Sequence, residues 1–185
     1  MSPKIKIFLD MDHVLYDWDK SALRLIGVDT NDPEVREIIK KDYTIADDFH
    51  CSRSKFDRMV ENQREEYWAN LELYPWSKDL YRRLSEISDV VFLTSPGPYS
   101  YAYGGKLTAT KRDFNSDAII LTRHKYYCAD ENSILIDDSA KNISQFKNHG
   151  GHVFKWPNAN CLVDGGKAVW DKCIDHCIEY ITLEM

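Results

Sequence analysis

The sequence has no apolar run that approaches the length of a membrane-spanning helix, and its first residues carry no signal-peptide core. Membrane insertion and export are therefore not expected, and a cytoplasmic location is. No basic stripe is visible. Lys and Arg total 24 against 30 Asp and Glu, for a net charge of −6. A surface for long nucleic acid needs the opposite balance. A small anionic ligand stays compatible if a metal and a few cations converge locally. Cysteine is sparse and odd in number: Cys51, Cys128, Cys161, Cys173 and Cys177 are scattered. Without an export signal they read as reduced thiols. Cys173 and Cys177 fall about one helical turn apart, but no second ligand pair has zinc-site spacing. Internal repeats, low-complexity tracts and linkers are also absent. The 185 residues, 43% apolar and 29% charged, fit one soluble globular domain with room for a small insertion.

The most informative stretch is KIKIFLDMDHVLYD, from Lys4 to Asp17. Ile5, Ile7, Phe8 and Leu9 read as a short buried strand. Asp10 and Asp12 follow at i, i+2, a spacing that puts both carboxylates on one side of an extended chain. They emerge where the strand runs out, which is where open parallel sheets hold ligands. One reading is a pair of solvated acids in a strand-to-helix loop. The other is a site for a hard cation such as Mg²⁺, because adjacent carboxylates repel one another without a partner.

After this strand, Trp18, Ala22, Leu25 and Ile26 predict a helix with Gly27 as its C-cap. Asp32 and Pro33 open a second helix over about 34–41. Residues 42–50 are expected to be irregular, and 52–69 a longer charged helix with Phe56, Met59, Val60, Gln63 and Tyr67 on its stripe. Nothing between Asp17 and Leu73 reads as a strand, so an all-helical block is inserted here. From Trp76 onward the pattern alternates. Helices are predicted over 76–87, 106–114, 139–148 and 166–182, and strands over 89–93, 118–121, 133–136 and 152–154, with a Gly/Pro/Tyr-rich loop over 97–105. This alternation predicts an α/β fold, a parallel sheet flanked by helices on both faces.

The strand ends carry a coincidence. The first strand ends on Asp10 and Asp12, the second on Thr94 and Ser95, the third on Thr122 and Arg123, the fourth on Asp137 and Asp138. In a parallel sheet these ends share one edge, so four carboxylates, hydroxyls and a cation gather in one cleft. Such a set suits phosphoryl transfer. Asp10 and Asp137 could hold Mg²⁺. A carboxylate is a competent nucleophile toward phosphorus. A second carboxylic acid can protonate the leaving oxygen and then activate water, while hydroxyl and ammonium donors hold the nonbridging oxygens.

IFLDMDHVLYD, FLTSP, a lysine and LIDDS, in this order, resemble the four motifs of the haloacid dehalogenase (HAD) superfamily of phosphohydrolases. FLTSP, ILTRHK, LIDDS and HVFKWPNAN are similar to segments of the 5'(3')-deoxyribonucleotidase family. The resemblance covers residues 4–18 and 74–160. It implies a Rossmann-like, HAD-like core over 1–16 and 74–185, a small helical cap over 17–73, Mg²⁺ dependence, and dephosphorylation of (deoxy)nucleoside monophosphates. Residue by residue, it implies Asp10 as nucleophile and metal ligand, and Asp12 as general acid/base whose backbone carbonyl also touches the metal. It implies Thr94 and Ser95 as phosphate ligands, Asp137 as completing the metal site, and Asp138 as orienting a metal water or the lysine. Arg123 would lie near the phosphate or sugar. The lysine is taken as Lys106, at about the family spacing after FLTSP and at the start of a helix facing the cleft mouth; Lys111 is the alternative. A homodimer is left open.

One departure stands in the first motif, where the family usually has Gly and this chain has His13. Gly serves where the backbone needs positive φ, a region His tolerates better than most side chains. His13 is either a tolerated variant or a residue that leans over the phosphate and tunes leaving-group choice. In the cap, Trp18, Tyr43, Phe49, Tyr67 and Trp68 are candidates to stack on a nucleobase, with Tyr43 and Trp68 chosen for that role and core packing as the alternative. Other readings keep the fold: a sugar phosphatase, or a weak nucleotide-binding relative. A phospho-acceptor receiver would place its paired acids first, and a dehalogenase has no need of Asp12.

Overall fold

The computed structural model describes residues 5–41 and 43–184. Lys4, at the head of the first predicted strand, and Asp42 lie outside the described residues. The described residues form a five-stranded sheet, all parallel, in the order β3-β2-β1-β4-β5. The strands are β1 (Lys6–Leu9), β2 (Val90–Thr94), β3 (Ile119–Leu121), β4 (Ser133–Asp137) and β5 (His152–Lys155). β1 is central, with Leu9 paired to Phe92 on one side and Ile136 on the other.

The period-two alternation of β1 sorts its side chains between two cores. Phe8 joins Leu93, Leu135 and Phe146, the last from α8 (Ala140–Asn148). Ile7 and Leu9 join the larger core with Leu80 and Leu84 of α6 (Ser77–Ile87) and Ile174, Cys177 and Ile181 of α10 (Lys167–Glu184). Helices thus cover both faces, as expected for parallel strands that read as continuous apolar runs.

Between β1 and α6 the described residues contain helices and no strand. These are α1 (Trp18–Leu25), α2 (Pro33–Ile39), α3 (Ile45–Asp48), α4 (Arg53–Gln63) and α5 (Glu65–Ala69). Two expectations change here. The stretch predicted to be irregular holds α3, capped by the Thr44 hydroxyl accepting from the Asp47 N–H at 3.0 Å. The single helix predicted over 52–69 breaks at Arg64, whose φ of +52° cannot continue a right-handed helix. The closing helix predicted over 166–182 is α10, and a short helix that was not predicted, α9 (Ala159–Gly165), precedes it, the two parted at Gly166 with φ +72°.

The Gly/Pro/Tyr-rich loop is shorter than predicted. α7 (Ala102–Phe114) begins before the Gly104-Gly105 pair instead of after it. Gly105 is needed for a close approach of helices, whereas a β-carbon at Gly104 would meet only the movable carboxylate of Glu65. A β-carbon on Gly105 would lie 2.5 Å from Trp68 Cβ and closer still to the Glu65 carbonyl oxygen. α5 and α7 therefore pack backbone against backbone, which carries Lys106 one turn into α7 and buries it completely.

Candidate active site

The ends of β1, β2 and β4 supply the site, as the strand order requires for a sheet whose chain reverses direction about β1. Asp10 follows β1 and is 7% exposed, and Asp137 closes β4 and is fully buried. Ligand oxygens of Asp10, Asp137 and Asp138 lie within 4.8 Å of one another. Between the first two sits Lys125, its Nζ 2.8 Å from Asp10 Oδ1 and 2.6 Å from Asp137 Oδ2. Asp10 Oδ1 also accepts from the Met11 N–H at 2.8 Å. Asp137 accepts from the Ser139 N–H at 2.8 Å and from Asn142 Nδ2 at 3.0 and 3.1 Å.

A second lysine serves Asp12. Lys106 Nζ donates to Asp12 Oδ2 at 2.7 Å, to Thr94 Oγ1 at 2.8 Å and to the Ser95 carbonyl at 3.1 Å. The other oxygen of Asp12, Oδ1, is buried and has no partner among the described residues. The site thus holds two lysine–carboxylate pairs, one at each of the acids spaced i, i+2.

Burial raises the carboxyl of Asp137, and the charge of Asp10 adds to it against the pull of Lys125, so the group rises from 3.8 to about 7. Burial also lifts Asp138 to about 6, with His13 and Lys125 opposing and Asp10 reinforcing. Three gathered carboxylates against one lysine leave negative charge in excess. An all-oxygen donor set with that surplus fits Mg²⁺. Asp10, Asp137 and Asp138 would hold the ion. The side chain of Asp12 is committed to Lys106, so any share of Asp12 in the metal falls to its backbone carbonyl.

His13 takes φ +62°, the backbone region in which a glycine would be at ease. Its Nδ1 lies 3.5 Å from Asp19 Oδ2. Burial works against a charge on this imidazole. The hydrogen bond and charge of Asp19, with the charges of Asp138 and Asp12, outweigh burial and lift its pKa to about 10. Asp19 in turn stays below the usual carboxylate range; burial opposes this, and His13, Tyr43 and Asn160 overcome it.

The other predicted residues separate. Thr94 and Ser95 stand beside Lys106, with Thr94 fully buried. Tyr43 lines a cavity of about 510 Å³ with His13, Trp18, Ile45 and Phe56. It also lines a smaller one of about 200 Å³ that reaches Asp138. Trp68 lines neither cavity. It is 3% exposed, tilted against Tyr99 at 5.3 Å, with Lys106 Nζ 5.0 Å from the center of its ring. Arg123 is exposed and donates from Nε to the Gly97 carbonyl at 3.1 Å, which ties down the loop after β2. Lys106 is buried, not at the cleft mouth as its place in the sequence suggested, and Lys111 is exposed. Lys125, Asn142, Asp19 and Asn160 were not singled out from the sequence. Lys125 had a signal: it stands two residues after Arg123 in ILTRHK, in the segment that follows β3.

No described helix is long and apolar enough to cross a membrane. A search of curated proteins by sequence found no significant match. Solved structures share the fold. A haloacid dehalogenase-like family hydrolase from Streptococcus pneumoniae superposes with a TM-score of 0.54 at 19% identity, covering 84% of this chain and 85% of that one. The HAD-hydrolase YfnB from Bacillus subtilis, bound to magnesium, gives 0.51 at 14% identity over 82% and 86%. A HAD family hydrolase from Deinococcus radiodurans, with bound phosphate and sodium, gives 0.51 at 12% identity over 83% and 80%. The family model described as "5' nucleotidase, deoxy (Pyrimidine), cytosolic type C protein" matches residues 3–174. With a HAD-type sheet, paired acids at its carboxyl edge and a family match over nearly the whole chain, this protein has the fold of HAD-type hydrolases and belongs to the family of 5' nucleotidase, deoxy (pyrimidine), cytosolic type C proteins.

Proposed function

We propose that the protein is a cytoplasmic, Mg²⁺-dependent phosphomonoesterase that converts (deoxy)nucleoside monophosphates to nucleoside and phosphate through an aspartyl-phosphate on Asp10. The observation that carries this reading is the division of labour between two acids. Asp10 is set beside Lys125, Asp137 and Asp138, whereas Asp12 is held through one oxygen by Lys106 and keeps the other without a partner among the described residues.

An Asp10 oxygen attacks phosphorus, and the bond from phosphorus to the ester oxygen breaks. Asp12 Oδ1 delivers a proton to that departing oxygen, which leaves as the nucleoside hydroxyl. A water then attacks the aspartyl-phosphate at phosphorus and gives its proton to Asp12. The phosphorus–Asp10 bond breaks, and Asp10 is restored as phosphate leaves. Lys106 and Lys125 hold the two acids in place and neutralise part of their charge; the Thr94 and Ser95 hydroxyls are the donors for nonbridging oxygens. Mg²⁺, when bound, supplies Lewis-acid charge stabilisation at the phosphate.

The helical block 17–73 acts as a cap in this reading, and the cavity under Trp18, Tyr43, Ile45 and Phe56 takes the nucleobase. Its volume of about 510 Å³ lies within the usual range for small-ligand pockets. The test is phosphate release from a panel of nucleoside monophosphates and sugar phosphates, with Mg²⁺ and with EDTA. Mg²⁺-dependent turnover of nucleotides supports the reading. Turnover of sugar phosphates alone keeps the mechanism and refutes the assignment of the cavity.

A further inference from the structure

Asp19 is a buried carboxylate to which the mechanism above gives no role. It lies in the first turn of α1 at 2% exposure and gathers side chains from three other parts of the chain. The Tyr43 hydroxyl donates to Oδ1 at 2.5 Å. Asn160 of α9 donates from Nδ2 to Oδ2 at 2.6 Å, and to the Ile39 carbonyl at 3.1 Å. His13 Nδ1, from the loop after β1, lies 3.5 Å from Oδ2. A buried charge is costly unless well bonded, and here one acid joins the loop that carries Asp12 to the helical block and to α9.

The two cavities at the site share His13, Asp19 and Tyr43 as a common wall. On one side the larger cavity runs under Trp18, Ile45 and Phe56; on the other the smaller reaches Asp138. We propose that Asp19 is a positioning residue for leaving-group recognition, fixing Tyr43 and His13 as the wall that seats the ring system of the leaving group on the Trp18 side and its phosphate on the Asp138 side. This rests on the phosphomonoesterase reading above and adds to it the residue that sets selectivity. Asp19 touches no reacting atom and acts through the two rings it holds.

The test is steady-state kinetics of the full chain with Mg²⁺ on nucleoside monophosphates and on acetyl phosphate, whose leaving group has no ring. Asp19→Ala should raise KM for the nucleotides by about tenfold or more, the size of one hydrogen bond to a charged group. Its kcat should stay within about threefold, and KM for acetyl phosphate should not follow. Tyr43→Phe, which removes only the hydroxyl, should show part of the same effect. Asp19→Asn, which keeps an acceptor for Tyr43, should recover most of it. Equal losses on both substrates, or unchanged selectivity in Asp19→Ala and Tyr43→Phe, overturn the proposal; if Asp19→Ala does not fold, Tyr43→Phe decides. A wild-type protein that hydrolyses another bulky phosphomonoester but no nucleotide refutes the nucleotide reading alone, and Asp19 is then judged on that ester. A wild-type protein inactive on every ester overturns both.

Discussion

The Nζ of Lys125 stands 2.8 Å from Asp10 Oδ1, and the same ammonium reaches Asp137 at 2.6 Å. It is 3% exposed, so these charges meet out of reach of bulk water. Lys125→Met therefore leaves two buried acids without their cation. Loss of one such preorganised donor costs roughly 10²–10³ in kcat. Breaking a buried pair by removing one partner also costs about 3–5 kcal/mol of stability. Phosphate-release kinetics and urea unfolding check the two effects, and an active, stable Lys125→Met would contradict this role.

Lys106 and Lys111 lie on one helix and should behave oppositely. Lys106→Met deprives Asp12 and Thr94 of their shared donor and removes the cation beside Trp68. The expected loss is about 3 kcal/mol, at the low end for a buried pair because Asp12 keeps some access to water. Turnover should fall with it. Lys111→Ala, at an exposed position, should change stability by less than about 0.5 kcal/mol and leave turnover near wild type. The comparison is made by urea unfolding and initial rates on the two variants.

Metal-free protein should lose stability as pH rises from about 4 to about 7. Asp137 and Asp138 are raised from 3.8 to about 7 and about 6, mainly by burial. A carboxyl raised in the folded state holds a proton that the unfolded chain has already released. Its contribution is complete below the unfolded pKa and is lost as pH climbs through the folded one. Mg²⁺ binds the deprotonated acids, so the rise in Tm on adding Mg²⁺ should grow between pH 5 and about pH 7.5 and then level off. A Mg²⁺-induced shift that is independent of pH would count against these acids as the metal site.

His13 tests the cost of a side chain at positive φ. At +62° the β-carbon is crowded, and the contact with Asp19 offsets the strain. Both His13→Ala and His13→Gly lose Asp19, but only alanine keeps the crowding. His13→Gly should therefore be the more stable of the two by about 1 kcal/mol, read as a difference in urea midpoint at constant slope.

Much of this was legible in the sequence because strand ends carry chemistry. Asp10, Thr94 and Asp137 could be placed on one edge from the alternation of helix and strand alone. The positive φ at His13 followed from a residue standing where the family has Gly. Three things were hidden. Gly104-Gly105 read as loop because glycine signals turns locally, whereas here Gly105 serves a close backbone contact with Glu65 and Trp68. Lys125 begins a short 3₁₀ turn, Lys125–Cys128, whose geometry follows no hydrophobic period. Asp19 gains its meaning only from partners at positions 13, 43 and 160, which no local pattern brings together.

The proposed mechanism stands on the phosphorylation of Asp10. The most direct measurement is acid quench of the protein during turnover of a nucleoside monophosphate, borohydride reduction of any acyl-phosphate to the alcohol, and mass spectrometry of the peptide carrying residues 5–17. Reduction is expected at Asp10, none at Asp12, and no trapped species in Asp10→Asn, which should also release no phosphate. Steady phosphate release with nothing trapped at Asp10, or from Asp10→Asn, would contradict it.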